Sequence, residues 1–429
     1  MFDQNAGILR TKNKSNTLQS TIKKDRNVAF DFNIEALRGF AALFVAIGHA
    51  VIFNNILDPN FFSEEMRLTL APGHYCVLIF FVLSGYVIGI SNKKELRGKE
   101  IGIYLKKRLV RLYPIYIVCF LFALLVSTSN YSFATVLSHI TITQVAFAEV
   151  ILENGPLWSL HYEVLYYMLF ILISAFRINP LFAAAVSIGV GLLNFVLFPS
   201  VNFSLISSYS FGFTFWIAGL AIAKYFTRSK VETNYALLAS NVFLVLSIYA
   251  FNILSTLFLK LSNALSSQYG FFKSEISFHD LSFLPYAVLF ILIFSGKQFK
   301  YKKQITLILQ LLPAATFIYL AKNYGTKDLG NFLMPSVFYL ISLVLFFSKS
   351  DFIDSLSKRL IKCGVWLGSI SYAVYVLNFP LLFLFNRITI FSGSPTTYIV
   401  RIVVFLSSLI LLSYLLEKKF QPWIRAKFF

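Results

Sequence analysis

The chain has 429 residues, of which 57% are hydrophobic and 13% are charged, with 48 phenylalanines. Soluble domains carry about a quarter charged residues, so this composition excludes an ordinary soluble protein. The net charge of +19 is high enough to suggest nucleic-acid binding, a class that the placement of the charges excludes.

Basic residues occur in groups along the chain. The groups fall at 1–30, 93–111, 224–230, 297–303 and 358–362, and again from 418 onward. Loops poor in Lys and Arg alternate with them, near 54–74, 129–155, 199–209 and 388–400. This alternation is the positive-inside pattern of a multi-pass membrane protein with both termini in the cytoplasm. The charge therefore indicates topology in a lipid bilayer, with no nucleic-acid partner.

Apolar segments long enough to cross a bilayer recur through the chain, and we count about twelve. They lie near 34–53, 75–91, 111–128, 157–176, 180–198, 208–223, 235–259, 281–296, 304–321, 331–348, 363–386 and 399–416. The segment 281–296 is short and the connection at 177–180 is a tight turn, so ten or eleven crossings remain open. The predicted fold is all-α, a polytopic membrane protein built as a bundle of about 10–12 transmembrane helices.

Three regions follow from this segmentation. Residues 1–30 form a polar, basic cytoplasmic tail, too long for the charged region of a cleaved signal, so the first span is expected to be an uncleaved anchor. Residues 31–422 form the transmembrane domain, and 423–429 form a short cytoplasmic tail. The three cysteines are scattered and the five histidines lack ligand spacing, so neither a disulfide framework nor a metal site is predicted.

The first span carries Glu35 and Arg38 at one end and a lone His49 near the other. Eleven residues are about three helical turns, so Arg38 and His49 project from nearly the same face, about 16 Å apart. This spacing suits a long substrate with an anionic head and a reactive far end. On this helix alone the alternative is equally supported, with Arg38 reaching to the interface and His49 a hydrogen-bonded interior histidine.

The second and third spans add small, hydroxyl and basic side chains. Ser84 and Gly85 would place a hydroxyl and a close backbone approach in an apolar wall, although small residues by themselves favour helix packing. Arg108 and Arg111 are three residues apart and share a face at the entrance of the third span. They would form a phosphate-sized fork, while positive-inside bias explains the pair without a ligand.

The stretch NGPLWSLHYEVLYY, residues 154–167, opens the fourth span. Ser159 and Glu163 are four residues apart and share a face, whereas His161 points elsewhere. Glu163 lies at a depth similar to His49, and a His–Glu pair would orient the imidazole as a general base. The alternative is a structural hydrogen bond between two helices. Apart from Tyr and Cys, the spans from 180 to 416 carry essentially no ionisable groups, which favours one chemical centre early in the chain.

Four ordered motifs, with a late fifth segment, resemble the integral-membrane acyltransferase 3 family, which O-acylates cell-surface polysaccharides and related acceptors. The matches are Leu37, Arg38, Gly39 and His49 for LRG and its following His; 80–85 for FFxLSG; Arg108, Arg111, Pro114 and Tyr116 for RxxRxxPxY; and Trp158, Ser159, Leu160, Glu163 and Tyr167 for WSLxxExxxY. SYAVYVLNFP, residues 371–380, is similar to a late SYxxYLxHxP segment, with Asn378 where many members have His. The resemblance runs from about residue 33 to about residue 422.

The resemblance implies a membrane-embedded O-acyltransferase of the plasma membrane, which in a bacterium is the inner membrane. Acyl-CoA, with acetyl-CoA expected, would be the donor, a carbohydrate hydroxyl the acceptor, and no cofactor would be permanently bound. By the same resemblance, His49 and Glu163 would be catalytic, Arg38, Ser84, Gly85, Arg108 and Arg111 would hold the donor, and Trp158, Ser159, Tyr167 and Asn378 would contact the substrate.

Two rivals stay open from the sequence. A transporter or flippase of lipid-linked glycans would share the topology, although it should carry more charge in its later spans. A covalent relay, with the acyl group held on His49 or Ser84, is a variant of the enzyme mechanism. No residue pattern indicates the acceptor sugar, the size of the acyl group or the oligomeric state.

Overall fold

The computed structural model describes residues 32–64, 72–197, 201–227, 233–265, 275–322 and 330–428. Within these ranges helices are the regular elements and no strand is formed, which confirms the all-α prediction. The predicted basic tail at 1–30 lies outside the described residues.

The α-helices of the described ranges are numbered here in chain order. They are α1 (Phe32–Ile52), α2 (Gly73–Ser91), α3 (Lys99–Val126), α4 (Phe133–Ile140), α5 (Trp158–Ala175), α6 (Pro180–Leu197), α7 (Val201–Tyr225), α8 (Tyr235–Phe251), α9 (Ile253–Leu265), α10 (Leu284–Phe294), α11 (Lys302–Leu311), α12 (Ala315–Lys322), α13 (Gly330–Phe347), α14 (Asp351–Gly368), α15 (Ser371–Arg387), α16 (Pro395–Leu415) and α17 (Gln421–Phe428). A 3-10 turn, Leu152–Leu157, leads into α5, and a π-helical turn, Leu416–Phe420, joins α16 to α17.

Nine helical stretches of the described ranges are long and apolar enough to cross a membrane. The helices α14 and α15 meet at 71° and make a tenth if they form one broken span. The apolar segments expected near 281–296 and 331–348 fall on shorter helices, below the roughly 20 residues that a bilayer requires. The multi-pass helical bundle is confirmed, with nine or ten candidate spans in place of the twelve apolar segments counted.

Small residues let α2 and α7 pack backbone against backbone. A Cβ added at Gly85 would overlap the carbonyl of Trp216, and a Cβ added at Gly219 would overlap the carbonyl of Val82. Helices in a membrane gain little from the hydrophobic effect, so such close van der Waals contacts hold them together. Gly85 lies in this helix contact, and its expected contact with the donor stays a prediction.

The helix α1 contacts the end of α14 near its own start and contacts α15 near its own end. Gly368, just before α15, packs against the backbone of Glu35 near the start of α1. Ten residues further along, Asn378 contacts His49 near the end of α1. These contacts define two ends of the bundle, which we call the Arg38 end and the His49 end.

One charged side chain lies within the last span, contrary to the expectation that the spans after residue 180 carry essentially no ionisable groups. Arg401 of α16 is 4% exposed and donates to the carbonyls of Leu57, Ile390 and Phe391 at 2.8, 3.4 and 3.3 Å. It also donates to the carbonyl of Phe385. Because these carbonyls follow α1 or lie near the end of α15, Arg401 ties loops together at the His49 end.

Candidate active site

A cavity of about 180 Å³ lies between α1, α2, α3, α5 and α15. Its polar lining consists of Arg38, Ser84, Arg108, Arg111, Ser159, Glu163, Tyr167, Ser371, Tyr372 and Tyr375. Apolar side chains, among them Phe80 and Val87 of α2, complete the wall. The first seven of these polar residues are predicted site residues, so the structure brings most of the predicted set around one space. Their individual roles stay predictions.

Two of the three cavity arginines are already paired with carboxylates. Arg38 Nη1 lies 2.6 Å from Glu35 Oε1, three residues earlier on the same helix. Arg111 Nη1 lies 2.6 Å from Glu417 Oε2, in the π-helical turn near the C-terminus. Each guanidinium keeps further N–H groups, because arginine has five and these contacts use one apiece. Arg108 and Arg111 both line the cavity, and the phosphate-binding fork that they would form stays a prediction.

Arg108 is held by aromatic rings. Its guanidinium carbon lies 5.8 Å from the ring centre of Tyr104 and 5.9 Å from that of Tyr167. Such cation–π contacts stabilise an arginine while leaving its planar donors directed elsewhere. Among the described residues, no hydrogen-bond partner reaches its buried Nε. Arg108 is thus the cavity arginine whose donors are most available to an anionic ligand.

Glu163 belongs to a hydrogen-bond network inside the cavity. Its Oε1 accepts from Ser84 Oγ at 2.7 Å and from the Tyr167 hydroxyl, and Trp216 Nε1 donates to Ser84 Oγ at 3.2 Å. The predicted contact between Glu163 and His49 is not formed in the described structure. Glu163 lies about 7 Å along α5 from the His49 end, which is deep enough to meet Ser84 instead.

His49 is paired with Asn378, and the pairing determines which ring nitrogen carries the proton. The distance from His49 Nδ1 to Asn378 Oδ1 is 2.7 Å. The Asn378 amide nitrogen donates to the carbonyls of Val374 and Tyr375 at 3.1 and 2.5 Å, so its orientation is fixed. Since an amide oxygen only accepts, Nδ1 of the neutral imidazole is protonated and Nε2 carries the lone pair. Nε2 is then available to accept a proton.

Three residues of α15 are spaced three positions apart, so each lies beside the next along the helix. Tyr372 has the Arg111 guanidinium 5.6 Å from its ring centre, Tyr375 lines the cavity, and Asn378 contacts His49. The Tyr375 hydroxyl lies 2.6 Å from Ser159 Oγ. Because each step of three residues rises about 4.5 Å, the His49–Asn378 pair is about one turn beyond the Tyr375–Ser159 contact. His49 and Asn378 therefore adjoin the cavity without lining it.

Trp158, the other predicted residue outside the cavity lining, lies at the start of α5. Its indole is 6.5 Å from the His74 ring, with 27° between the ring planes. His74 Nε2 is 3.0 Å from Asp280 Oδ1, and Asp280 is buried. His161 turns away from this region, with Nε2 2.7 Å from the Tyr209 hydroxyl, which confirms that it points elsewhere than Glu163.

Several polar residues at the cavity or bonded to its lining were not among the predicted site residues, namely Trp216, Ser371, Tyr372, Tyr375 and Glu417. A signal existed for the two tyrosines, because Tyr375 and Asn378 are neighbours three residues apart on the helix surface, and Tyr372 and Tyr375 are neighbours in the same way. Trp216 reaches Ser84 only through the α2–α7 contact, which no local pattern reveals. Glu417 follows directly after the last predicted span at 399–416 and resembles an ordinary interfacial charge.

Comparison with known proteins decides the family. A family model described as an acyltransferase domain matches residues 31–348. The chain belongs to the acyltransferase 3 family. The match covers the motifs of Arg38, Ser84, Arg108 and Glu163, and confirms the resemblance. It ends before α15, so Asn378 and Glu417 are connected to the acyltransferase site by their contacts alone.

A curated relative matches a smaller part of the chain. The chain is 35% identical over 86 residues to the Rhizobium radiobacter protein called "Protein 2 in picA locus". These residues are 20% of this chain and 39% of that relative's length. No solved structure matches the chain.

Proposed function

We propose that this acyltransferase transfers an acyl group, expected to be acetyl, from cytoplasmic acyl-CoA to a hydroxyl of a cell-surface or lipid-linked carbohydrate. The observation that carries the proposal is the order of groups along α15. Tyr372 and Tyr375 border the arginine-lined cavity, and Asn378, three residues after Tyr375, holds His49. A candidate donor site and a candidate base thus adjoin each other, as transfer between two substrates requires.

Acyl-CoA combines an anionic nucleotide with a long, narrow arm that ends in the thioester. Sites for drug-sized ligands measure about 300–1,000 Å³, so a cavity of about 180 Å³ suits the arm rather than the nucleotide. Arg38, Arg108 and Arg111 would donate to the phosphates near the mouth of the cavity. This assignment makes the Arg38 end cytoplasmic, with the His49 end facing the outside of the plasma membrane, the inner membrane in a bacterium.

His49 would act as the general base. Its Nε2 takes the proton of the acceptor hydroxyl while the hydroxyl oxygen attacks the thioester carbon. The new C–O bond forms, the C–S bond breaks, and the proton passes from His49 to the departing CoA thiolate. Asn378 keeps the His49 ring in the tautomer that these proton transfers require. For the thioester to reach His49, the arm has to extend past Tyr375 and Ser159, which are hydrogen-bonded to each other.

Glu163 receives a different role from the one that its predicted depth suggested. Because its hydrogen bonds run to Ser84 and Tyr167, we assign it to the wall that holds the donor arm. The same contact supports the covalent variant, since a carboxylate 2.7 Å from a serine hydroxyl can take its proton. In that variant Ser84 Oγ forms the acyl ester as the C–S bond breaks, and the proton moves from Glu163 to the thiolate. Incubation with acyl-CoA alone, followed by peptide mass analysis, would detect acyl-Ser84.

The transporter rival has less support. Ion-coupled transporters place ionisable groups where an ion or substrate can reach them near the midplane. Arg401, a charged group in the last span, donates instead to the backbone carbonyls of Leu57, Phe385 and Phe391.

The experiment that tests the proposed function compares acyl esters on the surface glycan of cells with and without the protein. We expect the esters only where the protein is present, and we expect purified protein to release CoA thiol when both acyl-CoA and that glycan are supplied. Identical ester content in both cells, with no thiol release, would support the transporter instead.

A further inference from the structure

Glu417 is a buried carboxylate whose surroundings connect it to the cavity. Its side chain is 4% exposed, and its Oε2 accepts from Arg111 Nη1 at 2.6 Å. Its other oxygen, Oε1, is sealed from solvent and has no hydrogen-bond partner among the described residues. Arg111 is 33% exposed and lines the cavity, so the pair joins the C-terminal helix to the cavity wall.

A second contact ties the helix that follows this carboxylate, α17, to α3. Gln421, four residues after Glu417, donates from Nε2 to the Val110 carbonyl of α3 at 2.6 Å. The π-helical turn Leu416–Phe420 lies between α16 and α17. π-Helical turns inside α-helices are frequent at functional sites. Here the turn carries the carboxylate that holds Arg111.

A buried ion pair between two helices contributes little net free energy to the stability of the fold. Apolar side chains of the same volume usually stabilise a fold as well or better, because removing two charges from water offsets their attraction. A fixed guanidinium has a different benefit, since a donor that is already oriented loses less conformational entropy on binding an anion. Arg111 is fixed by Glu417 on one side and by the Tyr372 ring, 5.6 Å away, on another.

We infer that Glu417 is a positioning residue for the donor site, which holds Arg111 so that its remaining N–H groups bind the phosphates of acyl-CoA. This inference rests on the proposed function, because it takes acyl-CoA as the donor. It makes the C-terminal helix part of donor recognition, although that helix contributes no atom to the cavity lining.

The test separates phosphate recognition from general folding. Glu417→Gln and Glu417→Ala are assayed with acetyl-CoA and with acetyl-pantetheine, which carries the same arm and thioester without phosphates. Losing a charge-assisted hydrogen bond is expected to raise KM for acetyl-CoA about tenfold in Glu417→Ala and less in Glu417→Gln, which keeps an acceptor oxygen. KM for acetyl-pantetheine and kcat should stay near wild type. Substituting Arg111 itself is less informative, because it would leave Glu417 buried without a partner.

Glu95→Gln is the matched control, because Glu95 also pairs with arginines, Arg97 and Arg177, but lies outside the cavity lining. Equal KM changes for both donors in the Glu417 variants, or no change for either, would overturn the inference and leave Glu417 a structural residue. If Glu417→Ala does not accumulate in the membrane, Glu417→Gln of nearly equal shape gives the same comparison. If wild-type protein uses neither donor, the proposed function fails first, and the inference fails with it.

Discussion

The His49 imidazole is held by a neutral amide, and this choice of partner has a chemical consequence. Asn378 Oδ1 accepts from Nδ1 at 2.7 Å but brings no charge. When His49 takes a proton at Nε2, the imidazolium therefore keeps this hydrogen bond but has no ion pair with Asn378. A carboxylate partner would stabilise that cation further. We therefore assign Asn378 to orientation, and expect the proton to pass promptly to the leaving thiolate.

Asn378→Leu should lower kcat roughly tenfold or more, because the ring loses the hydrogen bond that sets its tautomer. KM for acyl-CoA should change little, since Asn378 does not line the cavity. Initial rates at varied acyl-CoA measure both constants. Asn386→Leu, at a half-buried asparagine of the same helix whose amide donates to the Asn55 carbonyl outside the cavity lining, is the control. An unchanged kcat in Asn378→Leu would show that the tautomer does not depend on this amide.

Glu163→Gln should give the opposite pattern. The carboxylate contacts Ser84 and Tyr167 inside the cavity and does not contact His49, so we expect KM for acyl-CoA to rise about tenfold and kcat to change less. Initial rates at varied acyl-CoA measure KM and kcat for this variant, and the thermal stability of the purified variant is the control for folding. A large loss of kcat at unchanged KM would contradict this assignment and return Glu163 to the chemistry, through Ser84 or His49.

At the scale of single elements, composition and periodicity predict some features and leave others undetermined. Hydropathy locates the apolar segments, because each must cover about 30 Å of hydrocarbon. It does not reveal where a helix breaks, and the 71° bend between α14 and α15 falls inside what looked like one span at 363–386. The short helix α10 was likewise counted as a crossing.

Contacts within one helix were predictable, and contacts between helices were not. The spacing of Arg38 and His49, or of Arg108 and Arg111, follows from 3.6 residues per turn. The partner of His49 is 329 positions away along the chain, and no local pattern favours Asn378 over Glu163. The depth of a residue along a span can be predicted from sequence only to within about one helical turn. An error of that size is enough to assign His49 to Glu163 when its partner is Asn378.

The α2–α7 contact gives a prediction about assembly of the bundle. Gly85→Ala should strongly reduce the amount of folded protein, because the added methyl group would overlap the Trp216 carbonyl. The backbone of α7 cannot move away from it without a large cost in free energy. Thermal unfolding and membrane yield measure the effect. Gly189→Ala in α6 is the matched control, since a Cβ there meets no atom within 4 Å. Normal stability of Gly85→Ala would mean that α2 and α7 are not packed this closely.

For the whole molecule, the charge of +19 and the charge of the cavity are different quantities. Arg38 is paired with Glu35 and Arg111 with Glu417, so the net charge at the cavity is far smaller than the number of arginines suggests. Basic groups elsewhere on the chain would attract an anionic donor over a distance, an effect that salt screens within about 10 Å at 0.1 M. Recognition at short range would then depend on how the paired guanidiniums are oriented.

The central claim is that His49 is the base for transfer between acyl-CoA and a hydroxyl. The most direct measurement is the rate of acyl transfer by the purified His49→Ala protein, supplied with acyl-CoA and acceptor glycan, compared with the rate of the wild-type protein. The two proteins should have equal thermal stability and equal affinity for CoA. General-base catalysis contributes about 100- to 10,000-fold, so we expect CoA release and acyl-glycan formation to fall by at least the lower figure while CoA binding is retained. Transfer by His49→Ala at the wild-type rate would contradict the account.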